Sequence, residues 1–278
     1  MMENYSRRDF IKNGAAGIAG GVILYTLGSF GSSVGKRVRV SGAAGPLMQL
    51  SDEGWSSRHW GFIVDNEKCI GCGRCIVACK TENKVPWEVE YNRTWVERYT
   101  ITEDGEAIVE SPNAGRDGFG GEFRSVNIDA SQVRTSFFVP KLCNQCDNPP
   151  CVTVCPVGAT YKTDDGVILV DQMHCIGCRY CIQACPYGAR YILPQQTATH
   201  FGQHGVADKC TWCYHRITKG LPPACAEVCP VGARQFGDLR DPASGVRQVL
   251  REKRVYVLKP DLGTEPKVYY VGFEKGVH

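Results

Sequence analysis

Sixteen cysteines fall into four groups of four, and their spacing constrains this chain more than any other feature. The first group, CIGCGRCIVAC, holds Cys69, Cys72, Cys75 and Cys79. The second, CNQCDNPPCVTVC, holds Cys143, Cys146, Cys151 and Cys155. The third, CIGCRYCIQAC, holds Cys175, Cys178, Cys181 and Cys185. The fourth is split, with Cys210 and Cys213 in CTWC and Cys225 and Cys229 in CAEVC. No cysteine is left over.

Groups one and three carry the C-x2-C-x2-C-x3-C run that holds a 4Fe–4S cluster in bacterial ferredoxins. Three thiolates on one tight loop each reach a different iron of a cube. The fourth, a helical turn further on, points toward a second cube. Gly71 and Gly177 sit inside these loops, where backbone N–H groups approach sulfide and a Cβ would obstruct them. Ile70 and Ile176 are expected to keep water off the clusters. Pro156, Pro186 and Pro230 follow the last cysteine of three groups and set φ where the loop enters its next element. Lys80 takes that position in group one.

Competing chemistries fit less well. Four cysteines in so compact a run crowd a single tetrahedral zinc ion. Disulfides would have to join cysteines two or three residues apart, in strained geometry. Covalent haem needs C-x-x-C-H, and the closest approach, Cys210-Thr-Trp-Cys213-Tyr-His215, puts the histidine one residue out of register.

The chain has a globular composition, 43% hydrophobic and 22% charged. A net charge of +3 is too mild to suggest a nucleic-acid partner. Near the start, SRRDFIKNGAAG places Arg7 and Arg8 ahead of an uncharged run from Asn13 to Gly35 that contains seven glycines. This is the pattern of a twin-arginine export address over residues 1–44, with cleavage expected after Ala43 or Ala44. Its glycine content suits a signal better than a permanent anchor. That route carries folded proteins, often loaded with a cofactor. Clusters built in the reducing cytosol explain its use and imply a periplasmic destination.

CPVGAT at 155–160, CPYGAR at 185–190 and CPVGAR at 229–234 are copies of one unit. Between Cys155 and Cys175 lie the turn signal Thr163-Asp164-Asp165-Gly166 and the strand-like VILV of residues 167–170. A short hairpin joining two cluster motifs is the layout of a two-cluster ferredoxin. Residues 143–190 therefore form an inner module, inserted into an outer one made of 60–79 and 205–240. The expected fold class is α+β, two ferredoxin-like modules, with 80–142 as an insertion in a domain spanning 45–278. In such modules the fourth cysteine of each motif ligates the other cluster. This assigns Cys69, Cys72, Cys75 and Cys229 to cluster 1, and Cys210, Cys213, Cys225 and Cys79 to cluster 2. Cluster 3 takes Cys143, Cys146, Cys151 and Cys185, and cluster 4 takes Cys175, Cys178, Cys181 and Cys155.

On all four cysteine groups in order, over about residues 60–240, the chain resembles the four-cluster electron-transfer subunit of DMSO-reductase-type molybdoenzymes. Relatives of that family serve polysulfide, tetrathionate, arsenate and formate-dependent nitrite reductase systems. The resemblance implies four 4Fe–4S clusters and two neighbours: a molybdopterin catalytic subunit and a membrane quinone subunit. The insert at 80–142 is longer than the family suggests. Its VPWEVEYNRTWVERY stretch alternates enough to be strand, while NAGRDGFGG is expected to be loop.

Other residues are read as scaffold. His200 and His204 sit among glycines and read as a solvated loop, while His59 and His174 read as packing beside cluster motifs. Trp212 is expected to shield a cluster, and Tyr180 and Tyr187 to pack around group three. Arg251, Lys253 and Arg254 read as a solvated face. No nucleophile–base constellation, phosphate loop or dinucleotide fingerprint occurs, so the chain reads as a wire with no catalytic site of its own. Two other settings fit the same wire: a respiratory complex without molybdenum, of the quinone–multihaem cytochrome or sulfite-reduction-associated kind, or a periplasmic hydrogenase. The crossed ligand scheme makes a direct prediction. Cys185→Ser should damage the cluster of group two more than that of group three. An EPR spectrum with the group-three cluster altered instead would refute the scheme.

Overall fold

Six residues ahead of the first cysteine group, WGFIVD, are apolar almost throughout, as a strand covered on both faces should be. They form β1 (Trp60–Asp65), every residue of it buried, near the centre of the largest sheet. The computed structural model describes residues 57–88, 90–119, 130–194 and 205–272. The export address over 1–44, its cleavage site, and His200 and His204 lie outside the described residues.

β1 pairs antiparallel with β9 (Arg234–Asp238) and parallel with β11 (Val268–Val271), and β10 (Val255–Tyr256) closes the edge beyond β11. In the register Trp60 faces Asp238 and Val64 faces Arg234. The strand before the first cysteine group is thus hydrogen-bonded to the strand after the fourth. On one face Trp60, Phe62 and Val64 pack with Trp212 and Phe236 in the main core. On the other, Ile63 and Val271 pack against Val246, Val249 and Leu250 of a helix at Gly245–Glu252. That i, i+3, i+4 spacing gives the helix one apolar stripe, which it lays on the sheet.

The insert builds a second sheet, antiparallel and ordered β3-β2-β4, from β2 (Thr94–Thr102), β3 (Ala107–Glu110) and β4 (Val133–Leu142). The strand reading of VPWEVEYNRTWVERY therefore holds for its second half. The glycine-rich stretch opens as a 3-10 turn at Pro112–Gly115, with Asn113 and Ala114 in left-handed conformations. Lys80 secures the start of the insert. Its ammonium donates to the carbonyls of Pro86 (2.6 Å), Glu88 (3.1 Å) and Tyr91 (2.5 Å).

The expected hairpin between groups two and three is present as β5 (Thr160–Lys162) paired with β6 (Ile168–Val170). β7 (Arg190–Ile192) pairs with β8 (Ala207–Lys209), joining the end of group three to the start of group four. The architecture is α+β, with short helices between small sheets. None of the helices among the described residues is long and apolar enough to cross a membrane.

Asp165, in the hairpin turn, is 1% exposed. Trp60 Nε1 donates to its Oδ2 at 2.8 Å, Tyr214 Oη to its Oδ1 at 3.3 Å, and Thr163 also donates. Trp60→Phe would leave one carboxylate oxygen buried without that donor. A hydrogen bond to a charged group is worth about 1.5–3 kcal/mol. We expect the variant to lose its visible absorbance at lower guanidinium concentration than the parent protein, both measured anaerobically.

Candidate metal centres

In all four cysteine groups the residue before the second cysteine is left-handed: Gly71 (φ 64°), Gln145 (46°), Gly177 (70°) and Trp212 (52°). This conformation folds the short loop back on itself so that successive N–H groups line a concavity suited to negative charge. Glycine adopts it freely. Gln145 and Trp212 do not, and both are fully buried, so surrounding contacts hold them in place. Gln145 donates to the Cys210 carbonyl at 2.8 Å and accepts from the Ile168 amide at 2.7 Å. The steric need for glycine comes from neighbours not visible in the sequence. A Cβ on Gly71 would stand 2.6 Å from the Phe138 ring, and one on Gly177 2.3 Å from the Gly205 carbonyl oxygen.

After the loops of groups one to three comes a helix or a single helical turn carrying the next cysteine. These are α1 (Arg74–Asn83) with Cys75 and Cys79, α2 (Pro150–Thr153) with Cys151, and α3 (Tyr180–Gln183) with Cys181. α4 (Tyr214–Ile217) follows Cys213, and α5 (Ala224–Glu227) carries Cys225; the helix at Gly245–Glu252 is α6. In the three CPxGA copies a glycine of positive φ (Gly158, Gly188, Gly232) then turns the chain into β5, β7 or β9.

One hollow is lined by Cys69, Cys72, Cys75 and Cys229, together with Ile70, Val231 and Arg234. A second is lined by Cys143, Cys146, Cys151 and Cys185, with Ile168, Tyr187 and Arg190. Cys79 faces the fourth group: Asn83 Nδ2 lies 3.6 Å from Cys79 Sγ and 3.5 Å from Cys213 Sγ. Cys210 and Cys225 are near enough to Cys79 for their charges to raise its pKa further, beyond the effect of burial. Cys175 and Cys181 belong to a smaller apolar cluster with Ile168 and Ala207, and Cys178 is exposed. Cys155 lies just past α2, which packs against α3. Amide N–H groups point at three of the sulfurs from 3.4 Å: Thr160 at Cys155, Ala207 at Cys175 and Trp212 at Cys210. Such bonds help set a cluster's potential.

The residues fit iron–sulfur clusters on chemical grounds. All sixteen thiols are free of disulfides. Burial pushes Cys69 up to about 11, and Cys146 and Cys210 up to about 12, so these thiols become thiolates only beside compensating positive charge. Cys155 goes the other way: burial raises it, but the amides of Thr160, Val157 and Ala159 outweigh that and lower it. Buried guanidinium atoms add the complementary argument. Arg234 Nε and Nη1 and Arg190 Nη2 are buried without a hydrogen-bond partner. Both arginines are among the charges nearest to the cysteines, Arg234 by Cys75 and Cys225, and Arg190 by Cys151 and Cys143. Leaving cations unmatched in a protein interior is costly, and an anionic cluster held by thiolates matches them.

Several expectations change. Ile70 and Ile176 do not seal their clusters: they are 56% and 65% exposed, because their loops lie at the surface. Tyr180 is likewise 62% exposed and stands out from group three instead of packing around it. Tyr187 is half-buried, with its hydroxyl against Thr264, and Trp212 is fully buried against Phe62 and Phe236. His59 meets Asp147 at 3.0 Å, and His174 bonds to Asp171 at the surface. In the basic run, Lys253 meets Asp65 at 3.0 Å and Arg254 lies over the Tyr256 ring. Sequence reasoning missed Asn83, Gln145, Arg190, Lys209 and Arg234. Only the two arginines carried a signal, as the last residue of two CPxGA copies.

Cages of thiols beside buried cations, with amides aimed at sulfur, define an iron–sulfur protein. Residues 134–239 and 68–159 each match the family described as 4Fe-4S dicluster domain. The chain is 44% identical over 230 residues to the tetrathionate reductase B subunit of Archaeoglobus fulgidus, covering 80% of this chain and 90% of that one. It is 40% identical over 231 residues to the counterpart of the same name from Salmonella typhimurium, covering 82% and 78%. The polysulfide reductase B component of Wolinella succinogenes is 37% identical over 221 residues, covering 79% and 97%. The chain belongs to this family of iron–sulfur subunits of respiratory reductases.

The insert supplies a structural role for Gly73, whose φ is 73°. A Cβ there would lie 2.1 Å from the Arg116 carbonyl oxygen, a backbone atom of the insert. Gly158 also has a positive φ but open space around it. We expect Gly73→Ala to cost the protein one cluster, about four irons per chain by ligand counting. Gly158→Ala should retain its iron, as checked by metal analysis after anaerobic purification.

Proposed function

We propose that this chain is the electron relay of an exported respiratory reductase. It would hold four 4Fe–4S clusters in two nested modules and dock between a molybdopterin catalytic subunit and a membrane quinone subunit. Cys229 standing with Cys69, Cys72 and Cys75, and Cys185 with Cys143, Cys146 and Cys151, is the observation that carries this reading. Neither set comes from a single cysteine group. Cys79 beside Cys213, and Cys155 just past the helix that packs against α3, support the same crossed assignment for clusters 2 and 4. The β1–β9 pairing supports the outer module and the β5–β6 hairpin the inner one.

When bound, each cluster supplies one-electron chemistry and nothing else. The chain's own part is to space the sites, exclude water and set the surrounding charge. The thiol sets follow one another through close neighbours. Cys75 lies near Cys225, Cys143 near Cys210, and Arg190 is near both Cys151 and Cys181. This gives the order 1-2-3-4. Cys72 and Cys178, in the first and third groups, are the exposed cysteines. Around them Ile70, Val231, Ile176 and Tyr180 leave apolar surface open, as faces that meet protein partners do. Arg7 and Arg8 support export to the periplasm.

Metal analysis of the native complex, captured anaerobically through this subunit from solubilised membranes, tests the proposal. We expect about sixteen irons and sixteen labile sulfides from this subunit, with molybdenum near one per chain. Iron accompanied by haem absorbance and no molybdenum would place the relay in a quinone–cytochrome complex and overturn the molybdenum assignment.

A further inference from the structure

Two of the buried lysines are matched by a carboxylate, and Lys80 is held by three carbonyls. Lys141 meets Glu97 at 2.7 Å, and Lys267 meets Asp147 at 3.1 Å. Lys209 is different. It is fully buried, and among the described residues no carboxylate pairs with it. Its Nζ donates to the carbonyl oxygens of Ile168 and Cys210 and lies 3.8 Å from Cys143 Sγ. An ammonium has three N–H donors and a neutral amine has two, so three acceptors around one nitrogen suit the charged form.

The location gives the charge its meaning. Cys210 belongs to the fourth group and Cys143 to the second, and in the proposed assignment they serve clusters 2 and 3. The step between those clusters is the one that crosses from module to module. Gln145 reinforces the same point, donating to the Cys210 carbonyl at 2.8 Å. The two buried arginines that face sulfur do not bridge this seam: Arg234 faces Cys75 and Cys225, and Arg190 faces Cys151 and Cys143.

We infer that Lys209 is the charge that tunes the inter-module step, raising the reduction potentials of the two clusters that meet at Cys143 and Cys210. The inference rests on the cluster assignment proposed above. A fixed positive charge in a medium of low dielectric stabilises the reduced, more negative state of whatever it faces. Placed between two sites, it favours an electron on either, so an electron at the seam is held more firmly than beside a neutral residue. Lys209 is a positioning residue for charge and takes no electron itself.

The test is an EPR-monitored redox titration of the anaerobically purified complex, with iron and labile sulfide measured on each sample. In Lys209→Met we expect full iron content and a fall in two of the four midpoint potentials. The fall should reach a tenfold change in the reduction equilibrium, about 59 mV for a one-electron couple. Lys209→Arg keeps the charge and should hold the parent potentials. Unchanged potentials in Lys209→Met at full iron would overturn the inference, as would an equal fall in Lys209→Arg. Should Lys209→Met purify short of iron, Lys209→Gln replaces it, since it keeps N–H donors for the two carbonyls without the charge. Iron loss in both neutral variants would make Lys209 an assembly scaffold and overturn its tuning role. A parent complex without four titrating clusters would fail the cluster assignment instead, and that result is read before any variant is made.

Discussion

Thiols from segments far apart in the chain must reach the same place, and the rest of the structure serves that convergence. β1 ends four residues before Cys69, and β9 begins five residues after Cys229. Their pairing, with the Asp65 amide donating to the Ala233 carbonyl at 2.7 Å, brings those two cysteines into one hollow. The short hairpin β5–β6 does the same between groups two and three at much lower cost in loop closure. The sheet built around the fully buried β1 therefore acts as the clamp for the most distant pair of groups.

Two further pairings tie the cysteine groups together. β7–β8 ties the end of group three to the start of group four. β2 pairs with β4, which ends at Leu142, one residue before Cys143. Thr94, at the start of β2, accepts from Arg234 Nη2 at 2.8 Å and donates to the Lys141 carbonyl at 2.6 Å. The insert thus links the strand after group four to the strand before group two. It also lays residues 115 and 116 over the loop of group one. What reads in the sequence as an elaboration is a brace between cysteine groups.

Charge follows the same geometry. Carboxylates match Arg93, Arg98, Lys141 and Lys267, whereas Arg190, Arg234 and Lys209 face sulfur. Burying such cations against sulfur is costly unless that sulfur is negative, and thiolate-bound clusters provide the charge. At the surface the pattern reverses: Ile70, Ile176 and Tyr180 are apolar and exposed beside exposed cysteines.

The cysteine groups, the hairpin and the strand in the insert were legible in the sequence because each depends on short-range spacing. Two or three residues between cysteines set the loop, a Thr-Asp-Asp-Gly turn sets the hairpin, and alternation sets the strand. The left-handed Gln145 and Trp212 were not legible, since neither residue prefers that conformation and only their burial enforces it. Nor was the exposure of Ile70, Ile176 and Tyr180, because an apolar residue beside a cysteine reads as a lid until the surface is drawn. The sequence by itself determined the chemistry, sixteen thiols at cluster spacing, because ligand geometry within each group is local. Only the tertiary structure decided which thiols share a hollow, which cations they face and which loops stay open, because strand pairing between distant segments sets all three.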